Sequence, residues 1–100
     1  MRAVTTVIES SPLTVRELAR AVGAEDQWVL RLVEVEILHV DTPTEPPERW
    51  HCRSADLQRA LAARRLERDF GANLDTAALI LDLQTELRRL RAVLAAHAVD

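Results

Sequence analysis

TVRELARAVGAEDQWVLRLV, residues 14–33, holds two helical repeats parted by one glycine, and the architecture of the chain follows from it. Thr14 with Glu17 three positions on has the spacing of a capping box, in which side chain and backbone satisfy each other's otherwise unpaired amides. Val15, Leu18, Ala19 and Val22 recur on one helical face, while Arg16, Glu17 and Arg20 fall on the other. Gly23 supplies the left-handed residue that stops such a helix, so the first helix covers about residues 15–22. After only a few residues, Trp28, Val29, Leu32 and Val33 line one side of a second helix, with Glu25, Asp26 and Arg31 left to solvent. Two short helices joined through a tight glycine-containing turn make a helix-turn-helix.

Outward from this pair, residues 35–40 are rich in β-branched side chains and predict a strand, with residues 49–53 as its returning partner. Between them Pro43, Pro46 and Pro47 remove amide donors and keep the strand from running on, so the pair predicts a wing. Upstream, Val4, Val7 and Ile8 with two threonines between them predict another short strand, ended by Ser10, Ser11 and Pro12. Ser54 is placed to cap a third helix, with Leu57, Leu61, Leu66 and Phe70 inward and Arg59, Arg64, Arg65 and Arg68 toward water. Gly71 ends it. Trp28 and Trp50 fall at inward positions of their elements and are expected in the core.

No glycine or proline interrupts the chain from Leu74 to Asp100, and Asn73 or Asp75 can open a fourth helix that runs almost to the end. Leu74, Ala77, Ala78 and Leu81 would pack it on the domain. Further along, Ile80, Leu87 and Leu94 lie seven apart, interleaved with Leu83, Leu90 and His97, which is the a/d seam of a coiled coil. At about two and a half heptads the seam is too short to stand alone, so a homodimer formed through it would need help from the globular part. The expected fold is mainly α: a winged helix-turn-helix domain with a small β-sheet over residues 1–72, then a coiled-coil-like dimerisation helix over residues 73–100.

Composition narrows the function. With 100 residues, 48% of them hydrophobic and 29% charged, the chain suits a single globular core. No apolar run approaches the roughly 20 residues that span a bilayer, and the first residues lack the apolar stretch of a secretory signal. A cytoplasmic protein with no membrane association is expected. Cys52 is the only cysteine, and His39, His51 and His97 lack metal-ligand spacing, so no metal or other cofactor is expected. The only glycines are Gly23 and Gly71, which leaves no phosphate-cradling loop, and no GxSxG or HExxH motif is present. A binding protein is expected, not an enzyme. All 13 basic residues are arginine, and charge is unevenly spread: residues 25–48 carry seven acids against Arg31, whereas residues 49–70 carry six arginines against three acids.

The ordered features, from the pair of helices at residues 14–38 through Glu48-Arg49-Trp50 to the run ERDFGANLDTAALILDLQTELRRLRAVL, resemble MerR-like winged helices. Within that group, the run is most similar to the chaperone modulator CbpM family. The resemblance covers nearly the whole chain. It implies a cytoplasmic bacterial homodimer that binds the J-domain of a DnaJ-like co-chaperone of the CbpA type and restrains its activity. No C-terminal effector domain of the kind typical MerR activators carry is expected, and Cys52 is the only cysteine, so metal or drug sensing is not implied.

A recognition helix that reads DNA needs donors such as Arg, Asn or Gln in the major groove and cations beside the phosphates. Here the second helix begins Glu25-Asp26-Gln27-Trp28, which sets two carboxylates against a polyanion and leaves Gln27 and Arg31 as its only readers. Direct DNA binding, as by a MerR-like transcription regulator, is the alternative, and the charge disfavours it. An acidic face of Glu25, Asp26, Glu34 and Glu36 would instead steer a basic protein surface.

Overall fold

The computed structural model describes residues 12–98; the strand expected around Val4, Val7 and Ile8 lies outside them. Helix α1 (Val15–Val22) opens on the capping box, with the Thr14 hydroxyl accepting from the Glu17 amide at 3.1 Å and the Glu17 carboxylate accepting from the Thr14 amide at 3.0 Å. It closes at Gly23, whose φ of 72° is the left-handed conformation, while the Ala24 amide reaches back to the Ala19 carbonyl at 2.9 Å. Helix α2 (Asp26–Glu34) follows and buries Val29 and Leu32, with Trp28 and Val33 half-buried beside them. The helix-turn-helix is thus the one expected.

The wing differs from expectation. Residues 35–40 form no strand, because α2 ends in a left-handed turn at Glu36, φ 64°, with the Glu36 amide bonded to the Val33 carbonyl and the Ile37 amide to the Leu32 carbonyl. That geometry drops Ile37 and Leu38 into the core one after the other, both essentially buried. A strand would send consecutive side chains to opposite faces. The sheet is instead formed by β1 (Leu13–Thr14) and β2 (His51–Cys52), antiparallel, with Leu13 opposite Cys52 and Thr14 opposite His51. The wing is therefore a loop carrying one 3-10 turn, Pro47–Arg49, stitched back to the residues that precede α1. His51 is exposed and Cys52 buried, as strand alternation requires.

Helix α3 (Ser54–Phe70) begins one residue earlier than a Ser54 cap allows. Ser54 is its first residue, and the Asp56 carboxylate accepts from the Arg53 amide at 2.9 Å to close the end. The side chains that α3 buries are Asp56, Ala60 and Ala63, and not the leucines. Because α3 lies against both α1 and α4, small residues at the contact let the backbones approach. Leu57, Leu61 and Leu66 flank the core half-buried, and Phe70 is left 76% exposed. Of the four arginines expected to face water, Arg65 and Arg68 do so, whereas Arg59 and Arg64 are half-buried with partners.

Helix α4 (Leu74–Ala98) is capped by Asn73, whose side-chain oxygen accepts from the Thr76 amide at 2.8 Å. Leu74, Ala77 and Leu81 are buried on the domain and Ala78 is half-buried. From residue 82 to residue 98 every position is exposed. None of the helices described is long and apolar enough to cross a membrane.

Candidate functional site

The outward side of α2 is the natural reading surface of a helix-turn-helix, and its residues follow from the helical repeat. Asp26, Leu30 and Glu34 succeed one another at four-residue steps on one stripe, spanning about 12 Å at 1.5 Å per residue. Gln27 and Arg31 lie beside them, exposed like Asp26 and Glu34. The remaining acids expected on this face sit apart: Glu25 is the residue before the helix, and Glu36 lies in the left-handed turn beyond it. Both are exposed. Of the four acids, Asp26 and Glu34 thus share a stripe of α2, while Glu25 and Glu36 flank its two ends.

The inward side of α2 is locked. The Trp28 Nε1 donates to the Glu67 carboxylate of α3 at 2.8 Å, and the Arg64 guanidinium lies 5.5 Å from the centre of the same ring. Arg64 also donates to the Gly23 carbonyl at 3.0 Å, so one cluster clamps α2, α3 and the tight turn together. Trp28 is a packing residue, as its position implies. Arg59 donates to the Ile37 carbonyl at 2.7 Å and pairs with Asp82 of α4 at 3.3 Å. Two of the basic side chains of α3 are thereby committed to holding the fold.

The wing loop is braced from within. The Trp50 Nε1 donates to the Glu45 carbonyl at 2.8 Å, and Arg49 pairs with the Glu45 carboxylate at 3.8 Å. Asp41 accepts from the His51 amide at 3.2 Å, and that bond holds its carboxyl below the ordinary carboxylate value. So braced, the 3-10 turn stands over the start of the helix-turn-helix and closes a cleft of about 500 Å³, with Pro47 and Glu48 on one wall and Val15, Arg16, Asp26 and Leu30 on the others. Arg16 and Asp26 form an ion pair across it at 3.8 Å. Leu30 shares the stripe of Asp26, but Glu48 carries no periodic or motif signal for this role; the proline-rich loop that swings it into place joins positions far apart in sequence. Cys52 sits beneath the sheet, where burial above all, and then the charges of Asp56 and Asp41, push its thiol up to about 11. So protonated, it is a poor nucleophile at neutral pH.

The residues of the a/d seam stand on a free surface. Leu83, Leu87, Leu90 and Leu94 are 60%, 47%, 45% and 68% exposed, and Ile80 is half-buried where the helix leaves the domain. At 100° per residue the seam is turned about 130° away from the stripe of Leu74, Ala77 and Leu81. It does not fold back on the chain's own domain.

A sequence profile described as MerR HTH family regulatory protein matches residues 13–96. Neither a curated protein nor a solved structure matches the chain.

Proposed function

The chain belongs to the MerR HTH family of regulatory proteins, and from that starting point we propose that it is a chaperone modulator of the CbpM type. In this reading it is a binding protein without catalytic chemistry or cofactor, which occupies the J-domain of a DnaJ-like co-chaperone and inhibits it. The observation that carries the reading is the charge of the outward side of α2, where Asp26 and Glu34 stand with Arg31 as the only cation of the helix and Arg16 of α1 reaches Asp26 at 3.8 Å, beyond hydrogen-bond length. Carboxylates so placed repel phosphate and lose the counterion-release free energy on which DNA binding depends. The same carboxylates attract a basic protein surface and raise its encounter rate. Inhibition is by competition: a J-domain covered by the modulator cannot present that surface to its chaperone. Two copies join through Ile80, Leu83, Leu87, Leu90 and Leu94 of α4, and the exposure of the four leucines in the single chain supports an intermolecular role.

Calorimetric titration of the full chain with a purified J-domain tests this. Binding is expected, weakening several-fold between about 50 and 300 mM salt as screening shortens the reach of the acidic face. A J-domain that gives no heat at low salt refutes the reading. A second reading, DNA binding by a MerR-like transcription regulator, is favoured by the family description and by the exposed wing arginines Arg49 and Arg53. Gel-shift titrations at rising salt decide between them, because phosphate-driven binding declines steeply along such a series.

A further inference from the structure

We propose that the cleft between the wing's 3-10 turn, α1 and α2 receives one cationic side chain, an arginine or a lysine, from the partner protein. The proposal rests on the reading of the chain as a protein-binding domain and assigns that reading a specific point of contact. The volume of about 500 Å³ is in the range of sites that hold a small ligand group. Its apolar part is made by Val15, Leu30 and Pro47, and its polar part by the carboxylates of Asp26 and Glu48 with the guanidinium of Arg16. A long cationic side chain has the matching division, an alkyl stem that prefers apolar surface and a charged head that prefers carboxylate.

Charge selects the cation over an anion, since two acids meet one base there. Arg16 does not saturate its neighbour: 3.8 Å is beyond hydrogen-bond length, and the Arg16 side chain is 74% exposed. Asp26 therefore keeps its accepting capacity for an incoming donor. Glu48 enters no ion pair among the described residues, so its carboxylate is available without breaking a contact of the fold. A nucleic-acid phosphate brought to the same place meets both acids and is repelled.

The test has two arms, both on the full chain. In the first, amide resonances are followed by NMR while N-acetylarginine amide is added, with N-acetylcitrulline amide as the uncharged isostere. Saturable shifts at Arg16, Leu30 and Glu48 are expected with the arginine probe alone, and Glu48→Gln should weaken them at least threefold. Equal responses to the two probes, an unchanged response in Glu48→Gln, or shifts spread evenly over acids outside the cleft such as Asp75 would overturn the proposal. In the second arm, Glu48→Gln should weaken binding of a purified J-domain about tenfold, the loss typical of a charge-assisted contact, with Asp75→Asn unchanged. A J-domain that binds both forms equally sinks the cleft and spares the modulator reading. Saturation by arginine with no J-domain binding does the reverse.

Discussion

Glu36 occupies a backbone conformation that favours glycine, φ 64°, at the point where α2 must stop. For a residue with a Cβ that conformation costs on the order of 1 kcal/mol. Glu36→Gly should therefore stabilise the domain by about 0.5–1 kcal/mol, part of the relief being offset by the greater freedom of glycine in the unfolded chain. Urea denaturation measures it; a lower midpoint would mean that the Glu36 side chain contributes more than its backbone loses. The same residue explains why the sequence predicts a strand where the structure has a turn. Helix ends at Gly23 and Gly71 are announced by the residue type the left-handed turn prefers, whereas at position 36 the type is absent and the turn is imposed by the burial of Ile37 and Leu38. β-Branched composition reports that residues 35–40 can be buried and says little about whether they are extended.

At the scale of elements, α1 and α4 are legible because their caps are local, and α2, which has no side-chain cap, because of its apolar stripe. Thr14 with Glu17, Gly23, and Asn73 each act within a few positions, so sequence spacing is sufficient. The inward side of α3 was not, because periodicity locates a stripe of leucines without revealing that two helices must approach over Ala60 and Ala63. The candidate site divides the same way. Asp26, Glu34 and the seam leucines share helical faces and could be found by counting, while Glu48 reaches the cleft through a loop whose path no repeat encodes. For α4 the proposal of a dimer is specific. Leu87→Asp or Leu90→Asp should give a monomer by light scattering while the helical signal of the domain persists, because both side chains lie off the core. A dimer mass in both variants would refute the seam.

Across the whole molecule, Arg59 is the side chain that ties the most distant parts together. From α3 it reaches the Ile37 carbonyl after α2 and Asp82 on α4, and so fixes how the long helix leaves the domain. Arg59→Ala should cost about 1–3 kcal/mol, since it strands a buried carbonyl as well as breaking the link. Arg65→Ala, on the solvent side of the same helix, should cost little, and equal losses in the two variants by chemical denaturation would show that Arg59 has no special role.

Helix α4 carries two apolar stripes about 130° apart, and one domain can cover only the first. If two copies pair as proposed, how much of the second stays wet depends on how many molecules share the solution, and a melting temperature quoted without a protein concentration would describe the mixture, not the molecule.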